Sequence, residues 1–330
     1  MILGANKLLA PNLFMDDIDV SPESLNKMLE HGDYLRQQGY RGRFAPTPSG
    51  DLHLGNLRTA LIAWLRARLF SGKFLLRIDD LDKPRNRLGS SEKIKDDLSW
   101  LGITWDKPTI FQSERINIYS SVLSILRSEE KLFPCTCSRR MLSKANDLQN
   151  GPFLYSGKCR EKKKFTEYRN NRKPSWRLKV AKEFSFLCGD IIVRRADGLI
   201  AYHLATVVDE LTLGINEVVR GQDLAEQVFA QLAIIKALRQ GPISYKHAPL
   251  LLDFEGRKLS KTNKDHSLVF YRDKGFSASK IIGLLASSLN LVPKGSDLSA
   301  LELLSELKND NNNLKSIFNR KVQDKLTLLF

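Results

Sequence analysis

The sequence has few cysteines and no long apolar run. Four cysteines among 330 residues are too few for a small secreted protein held together by disulfides, and they suit a reducing compartment. No apolar run approaches the roughly 18–20 residues that a membrane-spanning helix requires. Glycine (20 residues) and proline (12 residues) are too sparse for a collagen-like or low-complexity chain. We therefore expect a globular cytoplasmic protein that makes no membrane contact.

The sequence has fewer acidic than basic residues. The chain has 37 Asp and Glu against 52 Lys and Arg, which gives a formal net charge of +15. Such an excess favours a polyanionic partner, and nucleic acid is favoured over a membrane because no long basic amphipathic helix is present. A merely basic surface is the alternative that charge alone leaves open.

The apolar pattern predicts alternating strands and helices. Predicted strands lie at 43–45, 74–78, 191–193, 199–202 and 217–219, and predicted helices at 21–38, 57–69, 91–101, 114–130 and 224–238. This alternation predicts an α/β fold, in which helices cover a parallel sheet. Residues 133–189 interrupt the alternation and carry all four cysteines.

These patterns divide the chain into five predicted parts. They are an N-terminal extension (1–40), one half of an α/β domain (41–132), an insertion (133–189), the other half (190–263) and a helical C-terminal region (264–330).

Two short segments carry residues suited to binding phosphate. The first, H-L-G-N at 53–56, lies between a predicted strand and a predicted helix, where free backbone N–H groups and the helix dipole attract anions. The second, K-L-S-K-T at 258–262, holds two lysines three residues apart. Alone, the first would be an ordinary glycine turn and the second a solvated basic loop.

Together the two segments resemble the H-I-G-H and K-M-S-K-S signatures of class I aminoacyl-tRNA synthetases. R-F-A-P-T-P-S-G at 43–50, R-I-D-D-L-D at 77–82 and V-R-G-Q-D at 219–223 resemble the glutamyl type. The resemblance implies a Rossmann-like parallel sheet with an inserted zinc-binding subdomain and a short helical C-terminal region. It also implies that the protein is an ATP-dependent ligase that forms glutamyl-adenylate.

The same resemblance implies roles for individual residues. His53, Gly55, Asn56 and Lys261 are expected to bind ATP, which enters with Mg²⁺, and His53, Asn56, Lys258 and Lys261 are the expected catalytic set. Asn56 stands where the signature has a second histidine, and it still donates a hydrogen bond.

Glutamate binding is expected from a second group of residues. They are Arg43, Phe44, Ala45, Pro46, Thr47, Asp79, Tyr202 and Arg220. Cations are needed for the two carboxylates of glutamate and an anion for its ammonium, which is the role expected of Asp79. Asp79 departs from the family's usual Glu, and an ion pair with Arg77 or Arg85 is its alternative role. Which arginine binds the side-chain carboxylate stays open at this point.

The insertion is similar to the zinc-binding insertion of the glutamyl family. Cys135, Cys137, Tyr155 and Cys159 are the implied ligands of one structural Zn²⁺, and reduced thiols without metal are the alternative. Residues 160–179 carry nine Lys or Arg with Tyr168 and Trp176 among them. We expect them to contact RNA phosphates, with a solvated loop as the alternative.

Only 68 residues follow the K-L-S-K-T segment, too few for the large anticodon-binding region of a full glutamyl-tRNA synthetase. This layout resembles truncated glutamyl-type synthetases that transfer glutamate to the cyclopentenediol of queuosine, at wobble position 34 of tRNA(Asp). The expected partners are therefore queuosine-containing tRNA(Asp), ATP and L-glutamate, and we expect a monomer. A shortened enzyme that charges a tRNA 3′ end and a non-catalytic RNA-binding zinc protein are the alternatives.

Overall fold

The structure, a computed structural model, describes residues 20–138, 141–142, 155, 157–161, 173–252, 267–309, 317–319 and 324–325. The helices of this part are α1 (Pro22–Gln37), α2 (Leu54–Leu69), α3 (Ser90–Trp100), α4 (Ile116–Ser128), α5 (Lys182–Cys188), α6 (Tyr202–Thr212), α7 (Gln227–Ala237), α8 (Leu268–Asp273), α9 (Ala278–Ser287) and α10 (Ala300–Asn309). The strands are β1 (Arg41–Phe44), β2 (Lys73–Ile78), β3 (Ile110–Phe111), β4 (Leu132–Cys135), β5 (Ser175–Leu178), β6 (Ile191–Arg194), β7 (Glu217–Gly221), β8 (Ser244–Ala248), β9 (Leu251–Leu252) and β10 (Asp324–Lys325).

Parallel strands form the centre of the molecule. β1, β2 and β3 pair in parallel in that order, with α2 and α3 as the crossovers. β7 and β8 form a second parallel pair joined through α7. The Asn216 N–H donates to the Arg41 carbonyl at 3.1 Å, which holds the start of β7 beside β1. This arrangement confirms the predicted α/β class with a parallel sheet.

An antiparallel sheet of β4, β5 and β6 stands apart from the parallel strands. The predicted strand at 199–202 is wrong, because only Ile200 makes a bridge, to Arg194. α6 already begins at Tyr202. The apolar residues after Tyr202 recur at helical spacing. Their burial in the core outweighs the preference of residues 199–202 for an extended backbone.

Two hydrophobic cores support the centre. α2 contributes Leu57, Leu61 and Trp64 to the first core, and all three are almost completely buried. Arg58 on the same helix is also buried and donates to the Pro249 carbonyl at 2.6 Å. This bond ties α2 to the chain just before β9, so the helix start and that segment are held together.

The second core lies around α4, α6 and α7, and α1 packs against it. The Ser21 hydroxyl caps α1 by accepting from the Ser24 N–H at 3.1 Å, as the Ser-Pro pair predicts. Leu25 and Leu29 are buried in this core. In the part of the chain that the structure describes, no helix has both the length and the apolar character to cross a bilayer.

Candidate active site and cysteine cluster

A cavity of about 520 Å³ opens where β1, β2 and β7 end. Ligands of open parallel sheets commonly bind at this edge. Every predicted ATP or glutamate residue that the structure describes lines the cavity: Arg43, Phe44, Ala45, Pro46, Thr47, His53, Gly55, Asn56, Asp79, Tyr202 and Arg220. Lys258 and Lys261, predicted on the K-L-S-K-T segment, lie outside the described residues.

The first signature segment forms the start of α2. His53 is the N-cap residue, and its Nδ1 accepts from the Asn56 N–H at 3.3 Å. A Cβ on Gly55 would lie 3.0 Å from the His53 ring, so glycine allows the ring to lie over the first turn. The buried Asn56 Oδ1 has no hydrogen-bond partner within the described ranges. The cavity therefore meets a helix N-terminus with an imidazole and an amide beside it, an arrangement suited to an anion.

Arg43, at the wall of the cavity, is neutralised by a buried carboxylate. Its Nη2 and Nε donate to Glu210 Oε1 at 2.9 and 3.2 Å, and its Nη1 donates to the Val219 carbonyl at 3.1 Å. Because Glu210 is fully buried, the pair contributes little net charge to the cavity.

Arg220 is held by neutral groups instead. Its Nη1 donates to Gln231 Oε1 at 2.8 Å, its Nε donates to His247 Nε2 at 3.4 Å, and its guanidinium lies 5.0 Å from the centre of the Tyr245 ring. Arg220 Nη2 is buried and has no hydrogen-bond partner among the described residues. Arg220 is thus a buried guanidinium of the cavity wall with which no described carboxylate forms an ion pair.

Asp79 follows β2 and is paired with Arg77. Arg77 Nε donates to Asp79 Oδ1 at 2.7 Å and Nη2 to Oδ2 at 3.2 Å, and both side chains are buried. Burial raises the pKa of Asp79, and the attraction of Arg77 opposes this effect. The ion pair considered as an alternative role for Asp79 is therefore present. A carboxylate accepts about four hydrogen bonds, so Asp79 retains acceptor sites toward the cavity.

A buried network stands behind Arg77. Asp209 accepts from Arg115 Nε at 2.7 Å, from Gln112 Nε2 at 2.8 Å and from the Tyr119 hydroxyl at 2.8 Å. Arg77 Nε lies 3.5 Å from Asp209 Oδ2. These contacts hold Arg77, and through it Asp79, in place.

Sequence reasoning missed Glu210 and Gln231, which hold the two arginines. Each had a visible signal. Glu210 and its neighbour Asp209 form an acidic pair in the otherwise largely apolar stretch 204–211, and Gln231 stands alone in the apolar stretch 228–235. A polar side chain on such a helix has a buried partner in most proteins.

Three cysteines and a tyrosine converge at the end of β4. The Sγ atoms of Cys135, Cys137 and Cys159 lie within 4.8 Å of one another. The Tyr155 hydroxyl lies 3.5 Å from Cys135 Sγ and accepts from the Cys159 N–H at 2.8 Å. Burial and the neighbouring Cys135 raise the pKa of Cys137 to about 12. The three thiols could hold a metal ion, whose charge would favour the thiolate form.

Of the basic segment 160–179, the structure describes residues 160–161 and 173–179, and some of these are buried. Arg177 is buried, lies over the Tyr155 ring and donates to the Asp190 carbonyl at 2.7 Å. Trp176 is buried too, with the Arg127 guanidinium 5.1 Å from the ring centre. For these two residues the expected RNA contact is wrong, because β5 places them in the sheet. Lys162, Lys163, Lys164, Tyr168, Arg169 and Arg172 lie outside the described residues.

Comparison with known proteins agrees with this fold. The family model of class I tRNA synthetases (E and Q), catalytic domain, matches residues 40–325. A glutamyl-Q tRNA(Asp) synthetase of Prochlorococcus marinus (strain MIT 9313) is 55% identical over 296 residues, which is 90% of this chain and 97% of the relative. A protein of the same name from Symbiobacterium thermophilum is 38% identical and covers 80% of this chain and 90% of its own.

A solved structure supports the fold as well. The glutamate tRNA ligase of Elizabethkingia meningosepticum, crystallised with its amino acid, superposes with a TM-score of 0.71 at 23% identity and covers 87% of this chain and 67% of its own. The chain belongs to the class I tRNA synthetases of the E and Q type. It is therefore a ligase of the aminoacyl-tRNA synthetase class.

Proposed function

We propose that this protein activates L-glutamate with ATP and transfers the glutamyl group to queuosine, at the wobble position of tRNA(Asp). The curated relatives described above carry the name of that activity. The observation that carries the amino-acid part is Arg220, a buried guanidinium at the cavity without a carboxylate partner in the described part of the chain.

Arg220 binds the side-chain carboxylate of glutamate in this proposal. A bidentate guanidinium–carboxylate pair is among the strongest polar contacts in proteins. Arg43 is the weaker candidate, because Glu210 already occupies two of its N–H groups. Arg43 and residues 44–47 then form the wall near the α-carboxylate, Asp79 accepts from the substrate ammonium, and Tyr202 closes the pocket.

The triphosphate of ATP lies at the start of α2. His53, Gly55 and Asn56 contact it, Lys261 stabilises the charge that develops on the α-phosphate, and Lys258 supports Lys261. Mg²⁺ enters with ATP. Hydrogen-bond donors that are already in place where charge develops stabilise the transition state strongly. Losing one typically costs about 3–4 kcal/mol of that stabilisation.

One structural Zn²⁺ bound by Cys135, Cys137, Tyr155 and Cys159 completes the proposal. Three thiolates and a phenolate oxygen make a four-ligand set without an open position, which suits a structural rather than a catalytic role. The proximity of the three Sγ atoms and the Tyr155 hydroxyl supports this assignment.

The activation step is tested by glutamate-dependent exchange of pyrophosphate into ATP. We expect exchange with L-glutamate and its loss in Lys261→Ala, with the circular dichroism spectrum unchanged. Absence of exchange in the unaltered protein would leave a non-catalytic RNA-binding zinc protein as the better description.

The acceptor is tested separately, with labelled glutamate and purified tRNAs. We expect label on tRNA(Asp) that contains queuosine and none on the same tRNA without it. Equal labelling of both forms, or labelling of tRNA(Glu) alone, would favour the alternative of a shortened enzyme that charges the 3′ end.

A further inference from the structure

Gln231 is a buried amide that the reaction does not explain. It lies on α7, is fully buried and belongs to a stretch whose other members at 228–235 are apolar. Its Oε1 accepts from Arg220 Nη1 at 2.8 Å, and its Nε2 has no hydrogen-bond partner among the described residues. A buried amide left half unsatisfied destabilises a core, so this position needs a reason other than packing.

The side chains that contact the Arg220 guanidinium share one property, which is that none of them carries a negative charge. Besides Gln231, the guanidinium contacts His247 and the Tyr245 ring. Burial and the charge of Arg220 lower the pKa of His247, and Asp223 only partly opposes them. Burial and Arg220 also lower the pKa of nearby His203 to about 4, so both rings are neutral at pH 7. Within the described ranges, no Asp or Glu oxygen forms an ion pair with Arg220.

Arg43 provides the contrast inside the same cavity. It is held by Glu210, a carboxylate, and its charge is compensated before any ligand binds. An amide oxygen orients a guanidinium as a carboxylate does, yet leaves its full charge available. The two arginines therefore differ in the charge of the side chain that holds each, which is a carboxylate for Arg43 and an amide for Arg220.

We propose that Gln231 is a positioning residue that orients Arg220 without neutralising it, and that it thereby makes the cavity select a carboxylate side chain over a carboxamide. This inference rests on the proposed function, because it assigns a specificity determinant to the glutamate site. The uncompensated cation is stabilised when an anionic ligand arrives, and a neutral ligand such as glutamine gives no such stabilisation.

The test compares substitutions of similar size in the pyrophosphate exchange assay. Gln231→Glu keeps the acceptor oxygen and the shape and adds one negative charge beside Arg220. We expect it to raise the KM for glutamate roughly 30-fold or more, while kcat changes less than about threefold. The ratio of kcat/KM for glutamate over glutamine should fall at least about tenfold, because a neutralised Arg220 no longer distinguishes the two side chains.

Gln231→Met separates orientation from charge. It removes the acceptor and leaves Arg220 charged, so we expect a smaller rise in KM, about three- to tenfold. Gln240→Glu is the charge control, since Gln240 follows the same helix and does not line the cavity. Its KM should equal that of the unaltered protein.

The outcomes separate this inference from the proposed function. Normal exchange by the unaltered protein together with an unmoved KM in Gln231→Glu, or an equal KM in the Glu and Met variants, overturns the role of Gln231 alone. Absence of exchange in the unaltered protein overturns the proposed function and the inference with it. If Gln231→Glu does not fold, Gln231→Met decides, and an unchanged KM there refutes the inference.

Discussion

The ion pair between Arg43 and Glu210 should dominate the local stability of the cavity wall. The two side chains are 6% and 0% exposed, and they meet through two hydrogen bonds from positions 167 residues apart. Removing one partner leaves the other charge buried without compensation, which typically costs about 3–5 kcal/mol. Replacing both partners by apolar groups of similar volume is close to neutral, because the attraction and both desolvation penalties disappear together.

This reasoning predicts a large coupling energy in a double-mutant cycle. Arg43→Met and Glu210→Met should each lower the free energy of unfolding by about 3–5 kcal/mol, and the double variant should lie within about 2 kcal/mol of the unaltered protein. The coupling energy is therefore at least about 4 kcal/mol.

Urea unfolding at pH 7.5, followed by circular dichroism, measures all four proteins. The slope of the free energy with urea must stay constant across the cycle for the comparison to hold. Additive effects, with the double variant destabilised by the sum of the single variants, would refute the view that Glu210 neutralises Arg43. The contrast drawn with Arg220 would then fail as well.

Three further predictions concern the interior and the cysteine cluster. Asp209→Asn should lower the free energy of unfolding by about 3–5 kcal/mol in urea, because it removes the charge that the buried arginines face. Glu23→Gln, at an exposed ion pair with Lys27 on α1, should change it by less than about 1 kcal/mol, and equal effects of the two substitutions would contradict the network. Burial raises the pKa of Asp97 to about 6. The folded protein therefore binds a proton at Asp97 more tightly than the unfolded chain does, and this stabilises the fold at low pH. The stabilisation is fully present below the pKa of the unfolded chain and is lost as the pH rises through 6. Asp97→Asn should therefore be more stable than the unaltered protein at pH 8 and equal to it near pH 4 in thermal unfolding, and a constant difference across this range would refute the assignment. Cys137→Ser should reduce the bound zinc from one ion per chain to a small fraction. Elemental analysis of protein purified in the presence of zinc measures this ratio, and full occupancy in the variant would exclude Cys137 as a ligand.

Short-range sequence patterns predicted several helices and strands correctly. The helix after His53, the apolar strand at 74–78 and the capped start at Ser21 all correspond to elements of the structure, since each depends on neighbours within a few residues. The predicted strand at 199–202 is wrong because the conformation of this stretch depends on contacts with residues that are distant along the chain. A short extended stretch has little preference of its own, and α6 beginning at Tyr202 is decided by core burial.

The same distinction applies to the site, where some features follow from the sequence and others follow only from the packing. The sequence by itself predicted the residues of the site and their order along the chain, and the parallel strands bring those that the structure describes to one edge. Only the tertiary structure decided the charge state of that edge. Glu210 meets Arg43 and Asp209 meets Arg77 across the fold. Gln231 meets Arg220 from the next helix, and Arg177 is buried against the Tyr155 ring. No local pattern of residues encodes these contacts. The reason is physical: the influence of a buried charge depends on which groups surround it in space, and chain order does not specify that surrounding until the strands and helices have packed.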